Sequence, residues 1–247
     1  MKITFLGTYG WYDTKTGNTI CTLIETENYF IVLDAGNGIY KLDEYIKNSS
    51  KPIYLFLSHF HIDHIEGLHI LNKFNFKQGI QIYGQKGTKK ILKNIINKPY
   101  TVPFDKLPFE VSIHELDKKY NLPFSIESRQ LIHSTPCSGY RFEVDGKVIA
   151  YCTDTGICEN AIKLAEDAEL LITECSFKMG QKNEKWPHLN PEDAVRIANE
   201  SGAKRLALTH FDANLYRSLD ERAEIEEKMK DTFKNIIIAY DDMEINL

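Results

Sequence analysis

Four ionisable side chains crowd into the six residues His59-Phe60-His61-Ile62-Asp63-His64, directly after the apolar run at 53–57. Few folds accommodate that pattern. A buried strand must end there, and the turn after it must bring imidazoles and a carboxylate to one point. Ser58 and Asp63 break the apolar pattern, which puts His59, His61 and His64 on that turn. Histidines two apart on an extended segment point to the same side. Imidazole and carboxylate together are the donor set for zinc, manganese or iron.

Three further ligand-type residues stand at the ends of apolar runs: His133 after Leu131-Ile132, Asp154 after Tyr151-Cys152-Thr153, and His210 after Leu208-Thr209. Each alone reads as an ordinary polar strand end. Together with the first cluster they form a donor set. Asp34, at the end of Ile31-Val32-Leu33, lies too far from the cluster for spacing to make it a ligand, and reads as a support for a histidine's second nitrogen.

Short β-branched and aromatic runs predict strands over 2–6, 20–25, 29–33, 53–57, 80–83, 125–132, 140–144, 148–152, 170–173, 205–208 and 236–239. Helical periodicity predicts helices over 38–47, 65–74, 86–96, 159–165, 191–201 and 219–230. The helix at 191–201 is signalled at both ends, by Asn190-Pro191-Glu192-Asp193 and by Ser201-Gly202. So many strands bury their apolar faces only as two sheets face to face, each covered by helices. The expected fold is α/β, a four-layer αββα sandwich. No linker or low-complexity tract interrupts the 247 residues, which predicts one domain over 1–247.

A net charge of -5 argues against nonspecific coating of nucleic acid. It leaves small anionic substrates open, since a metal supplies positive charge locally. The first apolar run is too short for a signal peptide and no stretch reaches membrane-span length, so the expectation is a cytoplasmic protein without a membrane partner. The five cysteines are odd in number, widely spaced and without a Cys-x-x-Cys pair. They read as small buried residues in a reducing compartment.

The ligand series resembles the metallo-β-lactamase superfamily, and Leu33-Asp34-Ala35-Gly36 is similar to that family's first motif. The resemblance runs from Phe5-Leu6-Gly7-Thr8 to Ala239-Tyr240-Asp241-Asp242-Met243 and implies the metallo-β-lactamase fold. It implies that His59, His61 and His133 hold one metal, that Asp63, His64 and His210 hold a second, and that Asp154 bridges them. The donors exceed what one tetrahedral ion needs, and a bridging carboxylate suits ions ~3.5–4 Å apart. Two divalent ions follow, zinc first, with manganese or iron fitting the same donors.

Thr173-Glu174-Cys175-Ser176-Phe177, followed by His188-Leu189-Asn190-Pro191-Glu192-Asp193-Ala194, resembles the ribonuclease Z-like branch. That resemblance implies a Glu174–His188 pair in which the histidine helps the leaving group depart, with Asp63 also in the catalytic set and a metal-bridging hydroxide as nucleophile. The Gly/Pro-rich arm by which ribonuclease Z clamps tRNA is missing between His133 and Asp154 and elsewhere. The expected substrate is therefore a small phosphodiester such as a cyclic nucleotide, with RNA ranked behind it. Homodimers follow from the branch by analogy only. The alternatives are tRNA 3′-end processing, a lactone or thioester hydrolase, and, ranked lower, an iron-dependent oxidoreductase. Tyr140 or Arg141 near the site, and a patch of Lys86, Lys89, Lys90 and Lys93 on one helix, are candidate phosphate contacts. For each, strand pairing or a solvated face is the more ordinary role. His69 and His114 lack motif context and read as structural.

Overall fold

In the computed structural model, which describes residues 1–116 and 121–247, fifteen strands form in chain order: β1 (Lys2–Gly7), β2 (Tyr9–Gly10), β3 (Cys21–Glu25), β4 (Phe30–Leu33), β5 (Ile53–Phe56), β6 (Ile80–Gly84), β7 (Val111–Glu115), β8 (Ser125–Leu131), β9 (Cys137–Val144), β10 (Lys147–Cys152), β11 (Leu170–Glu174), β12 (Leu206–Thr209), β13 (Phe211–Asp212), β14 (Ile236–Ile238) and β15 (Met243–Asn246). The helices are α1 (Leu42–Ile46), α2 (Ile62–Ile65), α3 (Thr88–Ile95), α4 (Glu159–Leu164), α5 (Pro191–Ser201) and α6 (Leu219–Met229). One sheet runs β15-β1-β3-β4-β5-β6-β7 and the other β14-β12-β11-β10-β9-β8, while β2 and β13 pair separately.

Strand periodicity explains the layering. On β4, Phe30 and Val32 face a core shared with Leu42, Ile46 and Leu68, whereas Ile31 and Leu33 face the other sheet. On β5, Ile53 and Leu55 point outward and Tyr54 and Phe56 inward. In the second sheet, Ile149 and Tyr151 point inward, while Ala150 and Cys152 face α4, α5 and α6. Phe56 meets Phe142 at 5.1 Å and Tyr140 at 5.7 Å across the inter-sheet layer. Strands apolar on both faces must be covered on both, and that yields the expected αββα sandwich.

Strand direction then gathers the candidate ligands. β4, β5 and β6 are mutually parallel, as are β10, β11, β12 and β14. β8 is antiparallel to β9 and β9 to β10, so β8 points the same way as β10. Asp34, His59, His133, Asp154, Glu174 and His210 all lie at or just past C-terminal strand ends, where parallel sheets place their clefts.

The sequence reading differs from the structure at short or locally constrained elements. β2, β7, β13 and β15 carry no strong apolar run and form through long-range pairing. The expected helix over 65–74 is instead α2 followed by a 3-10 helix, Glu66–Lys73. Gly67 N donates to Ala35 O at 2.9 Å, away from the helix, and a Cβ on Gly67 would lie 2.3 Å from Gly36 O. The segment is docked on the Asp34 loop, and regular α-helical bonding gives way there. Among the described residues, no helix is long and apolar enough to cross a membrane.

The cap of α5 forms as its sequence predicts. Asn190 Oδ1 accepts from Asp193 N at 2.8 Å, and Gly202 takes the left-handed conformation at the other end. Asn190 is buried, so Asn190→Ala should lower unfolding free energy by about 1–2 kcal/mol. A urea titration with unchanged midpoint would remove the cap from the account.

Candidate metal centre

Two groups of donors meet at this rim. His59, His61, His133 and Asp154 present ligand atoms within 4.8 Å of one another, as do Asp63, His64 and His210. Asp154 faces both groups. Its Oδ2 is 3.7 Å from His59 Nε2 and 3.8 Å from His133 Nε2, and its Oδ1 is 3.3 Å from His64 Nε2 and 3.2 Å from His210 Nε2. Asp63 Oδ2 stands 3.4 Å from His210 Nε2 and 3.8 Å from His64 Nε2. Donors around a tetrahedral ion at ~2.0–2.1 Å are separated by roughly 3.3 Å, which is the spacing these atoms show.

Several of these nitrogens lack an ordinary purpose in the protein. His59 Nε2 is buried with no hydrogen-bond partner. His64 Nε2 and His210 Nε2 face each other at 3.0 Å, and His61 Nδ1 and His133 Nε2 at 3.3 Å. A buried orphan nitrogen carries a desolvation cost of about 1–3 kcal/mol, which a cation coordinated there removes. The donor set therefore fits divalent metal at both groups.

The opposite nitrogens of His59, His64 and His210 are held by the scaffold. Asp34 is fully buried and accepts four hydrogen bonds, from Ser58 N at 2.7 Å, Ser58 Oγ at 2.8 Å, Tyr151 OH at 2.7 Å and His64 Nδ1 at 2.9 Å. Its expected supporting place is the one it occupies. Ser58 Oγ lies 3.0 Å from His59 Nδ1 and Ser176 Oγ 3.1 Å from His210 Nδ1. Asp34, Asp154 and His210 all adopt left-handed backbone, with φ of 56°, 52° and 51°. Such conformations are costly for non-glycine residues and turn strand-end side chains into the cleft.

Charge balance points the same way. Burial and neighbouring imidazoles push His59 well below the usual histidine range, and burial outweighs Asp154 to lower His61 and His133, leaving lone pairs free. Burial would lower His64, but Asp154, Asp34 and Asp63 outweigh it and raise it well above. Burial would raise Asp154, yet His210 and His64 hold it well below the carboxylate range. The carboxylates attract positive charge, and a metal supplies it without protonating the ligands.

His188 and Glu174 also meet. His188 Nδ1 is 2.7 Å from Glu174 Oε1, which also accepts from Thr155 N at 2.6 Å. Burial would lower His188, but the charge and hydrogen bond of Glu174 outweigh it and raise its pKa to about 9. His188 also groups with Asp154 and His210 as a possible donor trio. Its Nδ1 is engaged by Glu174 as His64 Nδ1 is by Asp34, and what sets His188 apart is its place outside the two donor groups that share Asp154.

The centre opens into a cavity of about 460 Å³ lined by Trp11, His61, Ile62, Asp63, Phe177, Trp186 and His188, among others. Sequence periodicity did not single out Trp11, Trp186 or Gly10, all on irregular segments. Trp11 N donates to Asp63 Oδ2 at 2.6 Å. Other expected contacts go elsewhere. Tyr140 OH donates to Leu57 O, and Arg141 binds Leu164 O and Glu166 O, so both are structural. Lys89 and Lys93 border a different cleft, and none of Lys86, Lys89, Lys90 and Lys93 lines the metal cavity. His69 contacts Glu66 O and His114 lies on β7. The five cysteines are free thiols, four of them buried, and Cys137 Sγ lies 3.8 Å from His59 Nδ1.

The sequence matches the family described as "Beta-lactamase superfamily domain" over residues 29–211. It is 29% identical to a probable metallo-hydrolase, YhfI of Bacillus subtilis, over 85% of this chain and 87% of that protein. The crystal structure of that metallo-beta-lactamase fold protein superimposes with a TM-score of 0.80 at 26% identity, covering 99% and 98% of the two chains. A ribonuclease Z from Methanosarcina acetivorans is 26% identical, covering 100% of this chain and 98% of the relative. That alignment spans 306 positions against 247 residues here, so several dozen residues of the ribonuclease face gaps. Human tRNase Z, short form, shares the fold at a TM-score of 0.77 and 23% identity, covering 100% and 99%.

Gly10 tests the second donor group. A Cβ there would fall 2.3 Å from His210 Cε1 and 2.6 Å from His210 Nε2. Gly10→Ala should displace His210 and lower the divalent metal that the protein retains, while the sandwich still unfolds cooperatively. Elemental analysis after dialysis reads the difference; unchanged metal content in the variant would remove His210 from the ligand set.

Proposed function

The chain belongs to the Beta-lactamase superfamily domain family and is a metal-dependent hydrolase, and on that premise we propose that it is a dinuclear phosphodiesterase acting on small phosphodiesters. In this reading one metal is held by His59, His61 and His133, the other by Asp63, His64 and His210, with Asp154 between them and zinc as the first choice. The observation that carries the phosphodiester assignment is the Glu174–His188 contact beside the donors, at 2.7 Å. Carbonyl hydrolysis has no need of a dedicated protonated imidazole there, because a metal can stabilise the departing oxygen. An alkoxide leaving phosphorus needs a proton.

Two divalent ions, when bound, lower the pKa of a water towards ~7 and offset charge on the phosphoryl oxygens. The chain's own residues supply the rest. Glu174 fixes the His188 ring through Nδ1, leaving the Nε2 proton for the departing oxygen. With a pKa of about 9, His188 is an imidazolium at neutral pH. Asp63 accepts from Trp11 N, which holds its carboxylate beside His64 and His210, where it would help to hold the second metal.

Small substrates are favoured over RNA by two observations. YhfI aligns over 222 positions, close to the length of this chain that it covers, whereas the ribonuclease Z from M. acetivorans carries extra residues. Lys89 and Lys93 border another cleft, and no lysine of α3 lines the metal cavity to extend it into a basic track. A second copy of the chain and RNA recognition through a partner chain are not needed for this chemistry.

Purified protein loaded with zinc should hydrolyse 2′,3′-cyclic nucleotides and bis-p-nitrophenyl phosphate in preference to a lactone, a thioester or a precursor tRNA. Turnover of the carbonyl substrates alone would overturn the proposal. His188→Ala should retain both metals and lose about 10²–10⁴ in kcat, more for cyclic nucleotides than for the activated aryl ester, whose leaving group needs little help. The wild-type rate should fall at alkaline pH as His188 loses its proton, a limb absent from the variant. The same raised pKa means the pair stabilises the fold fully below ~6.5 and loses that contribution as pH rises through about 9.

A further inference from the structure

Both tryptophans of the chain, Trp11 and Trp186, line the metal cavity. They come from segments 175 positions apart, and each remains substantially exposed, Trp11 at 67% and Trp186 at 47%. Ile62 on the same wall is 63% exposed. Large apolar side chains scattered singly over a surface are ordinary; three converging on the metal cavity indicate a partner that covers them.

Each indole has aromatic neighbours. Trp186 lies parallel to His61 at 6.0 Å with an interplanar angle of 5°, and it borders His133 at 6.0 Å and His188 at 5.9 Å. Trp11 packs against Tyr12 at 5.3 Å. Its backbone is left-handed at φ 75°, unusual for a bulky residue, and is fixed by the bond from its N–H to Asp63. The parallel pairing of β2 with β13 anchors this segment beside His210. Arg222 clamps the pairing from below, its guanidinium 3.7 Å from the Tyr9 ring and 4.4 Å from the Phe211 ring. The scaffold thus spends conformational strain to keep an exposed indole next to a metal-binding carboxylate.

We infer that Trp11 and Trp186 form an aromatic clamp that receives a planar ring attached to the phosphodiester, and so select nucleoside and aryl diesters over alkyl diesters. This rests on the phosphodiesterase reading above. An indole face binds any flat π-system without demanding a particular hydrogen-bonding pattern. The cavity volume of about 460 Å³ lies within the range for a nucleotide-sized ligand. Trp186 sits over the His61 and His133 side, and Trp11 adjoins Asp63 of the other group. A ring held between them keeps its phosphate over Asp154.

The test uses zinc-loaded full-length protein and two substrates of equal charge, 2′,3′-cyclic AMP and a cyclic glycerol phosphate. Trp11→Ala and Trp186→Ala should each reduce the ratio of kcat/KM between them by roughly tenfold or more, chiefly through KM for the nucleotide, and Trp→Phe should restore most of the ratio. Because the chain has two tryptophans, Trp11→Phe and Trp186→Phe leave one emitter each. Adenosine 5′-monophosphate should quench both, and ribose 5-phosphate neither. Equal losses for both diesters, or equal quenching by both monophosphates, would overturn the clamp. If the protein turns over neither diester, the phosphodiesterase reading fails, while the quenching comparison still decides whether the indoles bind a planar ring.

Discussion

Everything at the rim depends on one buried carboxylate. Asp34 ends β4 in a left-handed conformation and collects Ser58 N and Oγ, the Tyr151 hydroxyl and His64 Nδ1. Tyr151 belongs to the second sheet, so this carboxylate joins the two sheets as well as the metal loop. A buried carboxylate is tolerable only because four donors satisfy it; removing it would strand all four in a low-dielectric interior. In return it fixes one nitrogen of His64, which leaves the other free to face Asp154 and His210.

The same logic repeats outward. Ser58 serves His59, Ser176 serves His210, and Glu174 serves His188. Each support decides which nitrogen of its imidazole faces the cleft. Hydroxyls support His59 and His210 and carboxylates support His64 and His188; of these four, His188 lies outside the two donor groups around Asp154, and the Glu174 carboxylate raises its pKa to about 9.

Much of this was legible in the sequence because it is written in strand ends. The apolar runs at β4, β5, β10 and β12 alternate cleanly between two cores, and a ligand-type residue after each run follows from the parallel direction of those strands. The fold class and the convergence of His59, His61, Asp63, His64, His133, Asp154 and His210 needed no more than this pattern and a family resemblance. Trp11, Gly10 and Trp186 were not legible. Their segments have no period, and their placement depends on the two-residue pairing of β2 with β13 and on packing against His61. Likewise Met243-Glu244-Ile245-Asn246 forms an edge strand only because β1 is there to pair with it. The segment after α2 winds as a 3-10 helix rather than the expected α-helix because the Gly67 amide donates to Ala35 O on the Asp34 loop.

The central claim is that Asp154 divides its two oxygens between two metals. Anomalous diffraction at the zinc edge from crystals of the loaded protein measures this directly. The account predicts two peaks about 3.5–4 Å apart, one beside Oδ2 among His59, His61 and His133, the other beside Oδ1 among Asp63, His64 and His210. A single peak, or an ion coordinated by His188, would contradict it.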